Sequence, residues 1–261
     1  MSADTQTLRP VDLRSILTFT TVNEKKNSVD LVTEYDVAVE ELDYPSFKFI
    51  GEESYSDEPT FYGTTNFVHG FPFACVIYNP FLDHLYAYTG IEGQGSFLTR
   101  GNSQPLKLPL TNPKPLPSLQ KALLAIEWGS DRGKKTLVPK SDSFLRLAGD
   151  PADGIAGGRM AHSIRSLGSA ALNISMVAQG GLDLYWPWDC LRAVVGSHTA
   201  LAAATSAGSS IDPFKVTPDV LTGRKYLIIR AIPNTPNETG REAQLRIAKD
   251  FYQTVEDSEP K

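Results

Sequence analysis

Cysteine is nearly absent: Cys75 and Cys190 are the only two in 261 residues. Two cysteines so far apart supply neither a disulfide framework nor the paired spacing of a zinc site, so a reducing interior compartment, the cytoplasm, is expected. No apolar run approaches the length a membrane-spanning helix needs, and the opening MSADTQTLRP lacks the basic-then-apolar order of a secretory leader. A membrane partner is therefore not expected. Basic residues neither cluster nor interleave with aromatics, and the net charge is −5, which argues against nucleic acid as a partner. No internal repeat is visible.

What remains is ample for a core. With 41% hydrophobic and 10% aromatic residues, the chain can bury one large domain spanning 1–261, with the polar first ten residues loose. Ala122–Trp128 and Tyr226–Ile232 are continuous apolar runs of the kind a strand shows when both of its faces are covered. Residues 73–78 and 84–88 predict two strands joined across Asn79-Pro80, and Gly90, Gly93 and Gly95 a loop before Phe97. Gly168–Gln179 predicts a buried helix stopped by Gly180-Gly181, with its amino end offered to an anion. Thr235-Pro236-Asn237-Glu238 has the capping-box spacing, opening a helix that buries Leu245, Ala248, Tyr252 and Val255. Residues 129–158 read as loop-rich, and the Pro-rich 105–117 as a surface connection. Strands alternating with helices favour an α/β or layered α+β architecture.

The stretch that organises the chain is 51–72, GEESYSDEPTFYGTTNFVHGFP. Glu52 and Glu53 end the short apolar run Phe47–Ile50, and Gly63-Thr64-Thr65 forms a small hydroxyl-bearing turn. Carboxylates beside such a turn suit a metal and a phosphate held together. Each feature also has a plainer reading. The two glutamates can be solvated turn carboxylates, Thr64 a turn residue, Asp189 a helix cap, and His69 a structural hydrogen-bonding group. Asp150-Pro-Ala-Asp153-Gly154 reads as a surface turn.

The segments DLVTEYD (30–36), FIGEES (49–54), GTTNFVHGFP (63–72), RSLGSAALN (165–173) and Trp188-Asp189 resemble, in order, the successive signatures of the inositol monophosphatase family. The resemblance implies a layered αβαβα sugar-phosphatase fold, a homodimer, Mg²⁺ dependence and Li⁺ sensitivity. It implies a small sugar or polyol phosphate, such as inositol monophosphate, as substrate. Carried over residue by residue, Glu52 would ligate metal and help orient the nucleophilic water, and Thr64 would share that water. The N–H groups of Gly63 and Thr64 would hold phosphate. Gly168, Ser169 and Ala170 would line the sugar side, and Asp189 would ligate metal and contact substrate.

The chain departs from that pattern at internal points. The family carries an apolar strand and Asp-Pro-(Ile/Leu)-Asp before its Gly-Thr turn; here Asp57–Tyr62 stands instead, with Tyr62 in the place of the second aspartate. The stretches after Phe73, Trp186 and Asp189 are shortened. Matching sequence flanks each gap, which points to a few discrete losses, an incomplete sheet and poor solubility. Two missing metal ligands predict very weak activity or none, since one lost transition-state contact commonly costs about 10²–10³ in rate. A non-catalytic binding or regulatory relative is the alternative.

Overall fold

The computed structural model describes strands at 22–24, 31–33, 64–68, 71–79 and 86–91, the stretches 95–129 and 131–187, strands at 194–196 and 200–201, and residues 227–256. The strands are β1 (Val22–Glu24), β2 (Leu31–Thr33), β3 (Thr64–Val68), β4 (Phe71–Asn79), β5 (Tyr86–Ile91), β6 (Gly95–Arg100), β7 (Leu106–Lys107), β8 (Leu123–Ile126), β9 (Ser163–Arg165), β10 (Leu184–Trp186), β11 (Val194–Gly196), β12 (Ala200–Leu201) and β13 (Leu227–Ile229). Three helices accompany them: α1 (Lys134–Ala148), α2 (Ala170–Gln179) and α3 (Gly240–Thr254).

β3 to β7 form an antiparallel sheet in simple sequence order, while β8 to β13 form a mixed sheet ordered β12-β11-β13-β10-β8-β9. β1 and β2 pair separately. The predicted strand pair around Asn79-Pro80 is present as β4 and β5. Gly90 and Gly95, expected in a loop, pair instead within β5 and β6. The 105–117 connection is less detached than expected, since β7 adds to the sheet edge and Leu108 and Leu116 are buried.

Alternation along the central strands of the mixed sheet divides its core into two. Leu124, Ile126, Leu184, Trp186, Leu227 and Ile229 face one side, where Leu147 of α1 and Ala243, Ile247, Ala248 and Phe251 of α3 cover them. Ala125, Tyr185 and Ile228 face the other side and pack with Val177 of α2. These strands are apolar at every position because both faces are covered. α2 also approaches β4, so it lies between the two sheets. Among the described residues the layers run helices, mixed sheet, α2, antiparallel sheet, an α/β fold.

Helix α1 corrects the loop-rich reading of 129–158. Its buried face is Thr136, Lys140, Ser143 and Leu147, three polar residues out of four, so no apolar stripe announces it. Those groups are satisfied. Lys140 Nζ donates to the Trp128 carbonyl at 2.6 Å, and Thr136 Oγ1 donates to Asp131 at 2.8 Å. Ser143 Oγ donates to the Pro139 carbonyl and accepts from the Glu256 N–H. Beyond the helix, Asp150 caps a single 3₁₀ turn at 151–153 that ends on Gly154 (φ +91°), the surface turn the sequence suggested.

α3 starts four residues later than the first capping signal. Thr239 is the N-cap, and the box closes with Glu242: the Thr239 N–H donates to Glu242 Oε2 at 2.8 Å, and Glu242 N–H donates to Thr239 Oγ1. Thr235 and Glu238 bridge each other as a turn instead. The buried face comprises Ala243, Gln244, Ile247, Ala248, Phe251 and Thr254, whereas Leu245, expected inside, is 38% exposed. Of the other expected positions, Ala248 and Val255 are buried and Tyr252 is half-buried.

Candidate functional site

β9 and β10 flank β8, and both run parallel to it. Their carboxyl ends therefore lie on one edge of the mixed sheet, where open α/β sheets place their ligands. β8 delivers Glu127 to that edge. β9 delivers Ser166, Leu167 and Gly168 ahead of α2, and β10 leads through Trp186 toward Trp188-Asp189.

The turn into α2 is set by its own backbone and cap chemistry. Gly168 takes a positive φ of +79°, a conformation a glycine adopts without strain. Ser169 is the N-cap, its Oγ accepting from Leu172 N–H at 3.3 Å, and Ala170 is the first helical residue. At the far end, Gly180 (φ +87°) closes the helix with its N–H on Met176 and Val177 carbonyls, the stop foreseen at Gly180-Gly181. Gly168, Ser169 and Ala170 are thus together at one helix amino end.

Of the other predicted site residues, Thr64 opens β3 and aligns with Val76 of β4, so it begins a ladder and not only a turn. Glu52, Gly63 and Asp189 lie outside the described residues, as do Glu53, Asp57, Glu58, Tyr62 and His69. Among the described residues, no cluster of three or more His, Cys, Asp or Glu could hold a metal ion. The resemblance gives that task to Glu52 and Asp189, whose carboxylates are the hard oxygen donors that Mg²⁺ takes.

Sequence reading missed Glu127. Its Oε1 accepts the Leu167 N–H at 2.7 Å, the Gly168 N–H at 2.9 Å and Asn173 Nδ2 at 2.7 Å, while Oε2 accepts Ser166 Oγ at 2.7 Å. One carboxylate thus organises the whole approach to α2. The available signal was its position: an acidic residue directly after an apolar strand whose last three residues are buried. Asn173 was quoted only as the end of a motif, yet it is fully buried and its Oδ1 has no hydrogen-bond partner.

The profile of the inositol monophosphatase family matches residues 12–192. Protein qutG of Emericella nidulans is 33% identical over 278 residues, covering 89% of this chain and 84% of that protein. Inositol monophosphatase 2 of Saccharomyces cerevisiae is 36% identical over 208 residues, covering 66% of each. Among solved structures, an IMPase/NADP phosphatase complexed with Mg²⁺ and phosphate aligns with a TM-score of 0.45 and 18% identity, over 67% of this chain and 68% of that one. The relatives place the chain in the class of phosphatase-like hydrolases, and they do not favour the non-catalytic alternative. The chain belongs to the inositol monophosphatase family. The match to qutG extends over 278 positions, more than the 261 residues of this whole chain, although only 89% of the chain takes part. That relative therefore carries segments with no counterpart here, in line with the internal gaps read from the motifs.

Proposed function

We propose that this chain hydrolyses the phosphate monoester of a small polyol, inositol monophosphate or a close relative, with Mg²⁺ as cofactor and at a reduced rate. The observation that supports it is the ordered turn Gly168-Ser169-Ala170 at the carboxyl edge of β8, β9 and β10 in a chain of this family. Glu52 and Asp189 would hold the metal, which when bound supplies charge neutralisation on the phosphoryl oxygens. Glu52 and the Thr64 hydroxyl would orient the attacking water. The Gly63 and Thr64 N–H groups would cradle the phosphate, and Gly168, Ser169 and Ala170 would receive the polyol. The rate is reduced because Tyr62 stands where the family carries its second aspartate. The same reading carries a homodimer in a reducing compartment such as the cytoplasm, which light scattering on the purified chain tests for its first part.

The experiment is phosphate release from inositol 1-phosphate with Mg²⁺, with a chelator, and with Li⁺. Slow release that needs Mg²⁺, falls with Li⁺ and disappears in Glu52→Gln is expected. Tyr62→Asp, which restores a carboxylate before the Gly63-Thr64 turn, should raise the rate by about tenfold or more, since single electrostatic contacts in the transition state are commonly worth about 10²–10³. Release that persists without metal, or in Glu52→Gln, would overturn the proposal. Turnover at ordinary enzyme rates, about 1–10³ s⁻¹, would overturn the claim of impairment.

A further inference from the structure

Gly168–Ala170 lie at one edge of the mixed sheet, and the opposite edge holds an open cleft of about 210 Å³. Asp183 just ahead of β10, Arg230 just after the antiparallel β13 and Gly180 at the carboxyl end of α2 line it, with Thr111, Asn112 and Lys114. Gly180 keeps it open, since a Cβ there would lie 3.6 Å from Thr111 Oγ1. Arg230 is the unusual member, for its side chain is only 12% exposed. Its Nε donates to Asp183 and its Nη1 to the Lys114 and Ala231 carbonyls, while Nη2 donates to nothing among the described residues. Spare donors on a largely buried cation are costly unless an acceptor meets them. The Lys114 ammonium, the Thr111 hydroxyl and the Asn112 amide also line the cleft without a partner among the described residues.

Two features oppose an anion here, and both are engaged within the chain. Asp183 spends Oδ1 on Arg230 and Oδ2 on the Leu123 N–H. The last-turn carbonyls of α2 form the negative end of the helix. Those of Met176 and Val177 accept the Gly180 N–H, and that of Gln179 accepts the Leu110 N–H at 3.1 Å. With Lys114 and Arg230 against Asp183 alone, the cleft keeps a net positive charge.

We propose that this cleft is a second ligand site and binds a small oxyanion, a phosphate or a carboxylate, without a metal. Arg230 Nη2 is its most buried donor, and Lys114, Thr111 and Asn112 donate from the rim. Both ligand classes offer several acceptor oxygens and a negative charge, which a guanidinium, an ammonium, a hydroxyl and an amide together satisfy. The occupant joins the start of β10, the end of β13 and the carboxyl end of α2. By mass action it stabilises the folded chain and takes no part in the reaction at the other edge.

The test is amide NMR of the full chain in metal-free buffer, titrated separately with inorganic phosphate, with malonate, and with chloride at matched ionic strength. Phosphate or malonate should move the Thr111, Asn112, Lys114 and Ala231 amides in a saturable way, and chloride should not. The tighter of the two anions names the class of ligand. Lys114→Ala removes the ammonium and keeps the backbone carbonyl that Arg230 holds, so the fold retains that contact. It should weaken the binding by about fivefold or more at low salt, and Lys114→Glu should abolish it. The proposal is overturned by no response of these amides to either anion, by an equal response to chloride, or by unchanged affinity in both Lys114 variants. Neither metal nor turnover enters these readouts, so the outcome is independent of the phosphatase reading.

Discussion

Asp183 and Arg230 offer the sharpest stability test. Asp183 precedes β10, and both side chains of the pair are only 12% exposed. Asp183 Oδ1 accepts Arg230 Nε, and its Oδ2 accepts the Leu123 N–H at 2.7 Å, so one carboxylate joins the starts of β8 and β10 to the end of β13. Arg230 also donates to the Lys114 and Ala231 carbonyls at 2.7 and 2.9 Å. Asp183→Ala leaves the guanidinium with neutral acceptors only and orphans the Leu123 N–H. Breaking one side of a largely buried pair costs about 3–5 kcal/mol. That is a large share of the about 5–15 kcal/mol that holds a native protein together. At about 2–4 °C per kcal/mol for a chain of this size, the melting temperature should fall by roughly 10 °C. Arg230→Leu combined with Asp183→Leu removes both charges and should recover part of the loss. Circular dichroism melts of the three proteins measure it. If Asp183→Ala melts within about 2 °C of the parent, the charge pair is not an organising contact and the reasoning fails.

Phe251 is fully buried and meets Trp186 edge to face at 5.1 Å, at the junction of α3 and the mixed sheet. Phe251→Ala should cost about 3–5 kcal/mol in urea unfolding, a loss well under 1 kcal/mol meaning that α3 does not cover that face. Acid stability should follow the start of α3. The Thr239 N–H and then its hydroxyl hold the Glu242 carboxyl below the usual carboxylate range, and Arg246, chiefly by hydrogen bonding, does the same for Glu238. A lowered folded-state pKa gives stability that is present above the unfolded pKa and lost as pH falls through the folded one. Stability should therefore decline below about pH 4.5, with a shallower decline from this source in Thr239→Ala; an identical acid limb in both proteins would contradict it.

The competing caps show how far sequence could carry the fold. Thr235…Glu238 and Thr239…Glu242 both have the capping-box spacing, so pattern alone could not choose between them. Tertiary contacts chose the second. The Gly240 N–H donates to Asn234 Oδ1 at 2.8 Å, and the Ile232 carbonyl comes so near that a Cβ on Gly240 would lie 1.8 Å from it. β8, β13 and α2 were legible because strands buried on two faces and an apolar helix leave continuous apolar runs. α1 was not, because its inward face satisfies lysine, serine and threonine through specific partners instead of burying an apolar stripe. The site divides similarly. Gly168-Ser169-Ala170 carries its own turn and cap chemistry, whereas Glu127 acts only through groups about 40 residues further along the chain.

That division bears on what the internal losses do to function. The described half of the candidate site is built from parallel strands with complete ladders, a capped helix and a carboxylate bonded to four donors. In the proposed reading the missing carboxylates belong to the metal half, which would meet the charge on the phosphoryl oxygens in the transition state. An interaction made only in the transition state, when removed, lowers kcat and kcat/KM together and leaves ground-state binding in place. The chain should therefore bind its polyol nearly as a complete family member would and fail mainly in the chemical step. Restoring a carboxylate at Tyr62 should raise kcat and leave KM nearly unchanged. A rescue that acted on KM instead would mean that the polyol end, and not the metal end, is what the gaps have damaged.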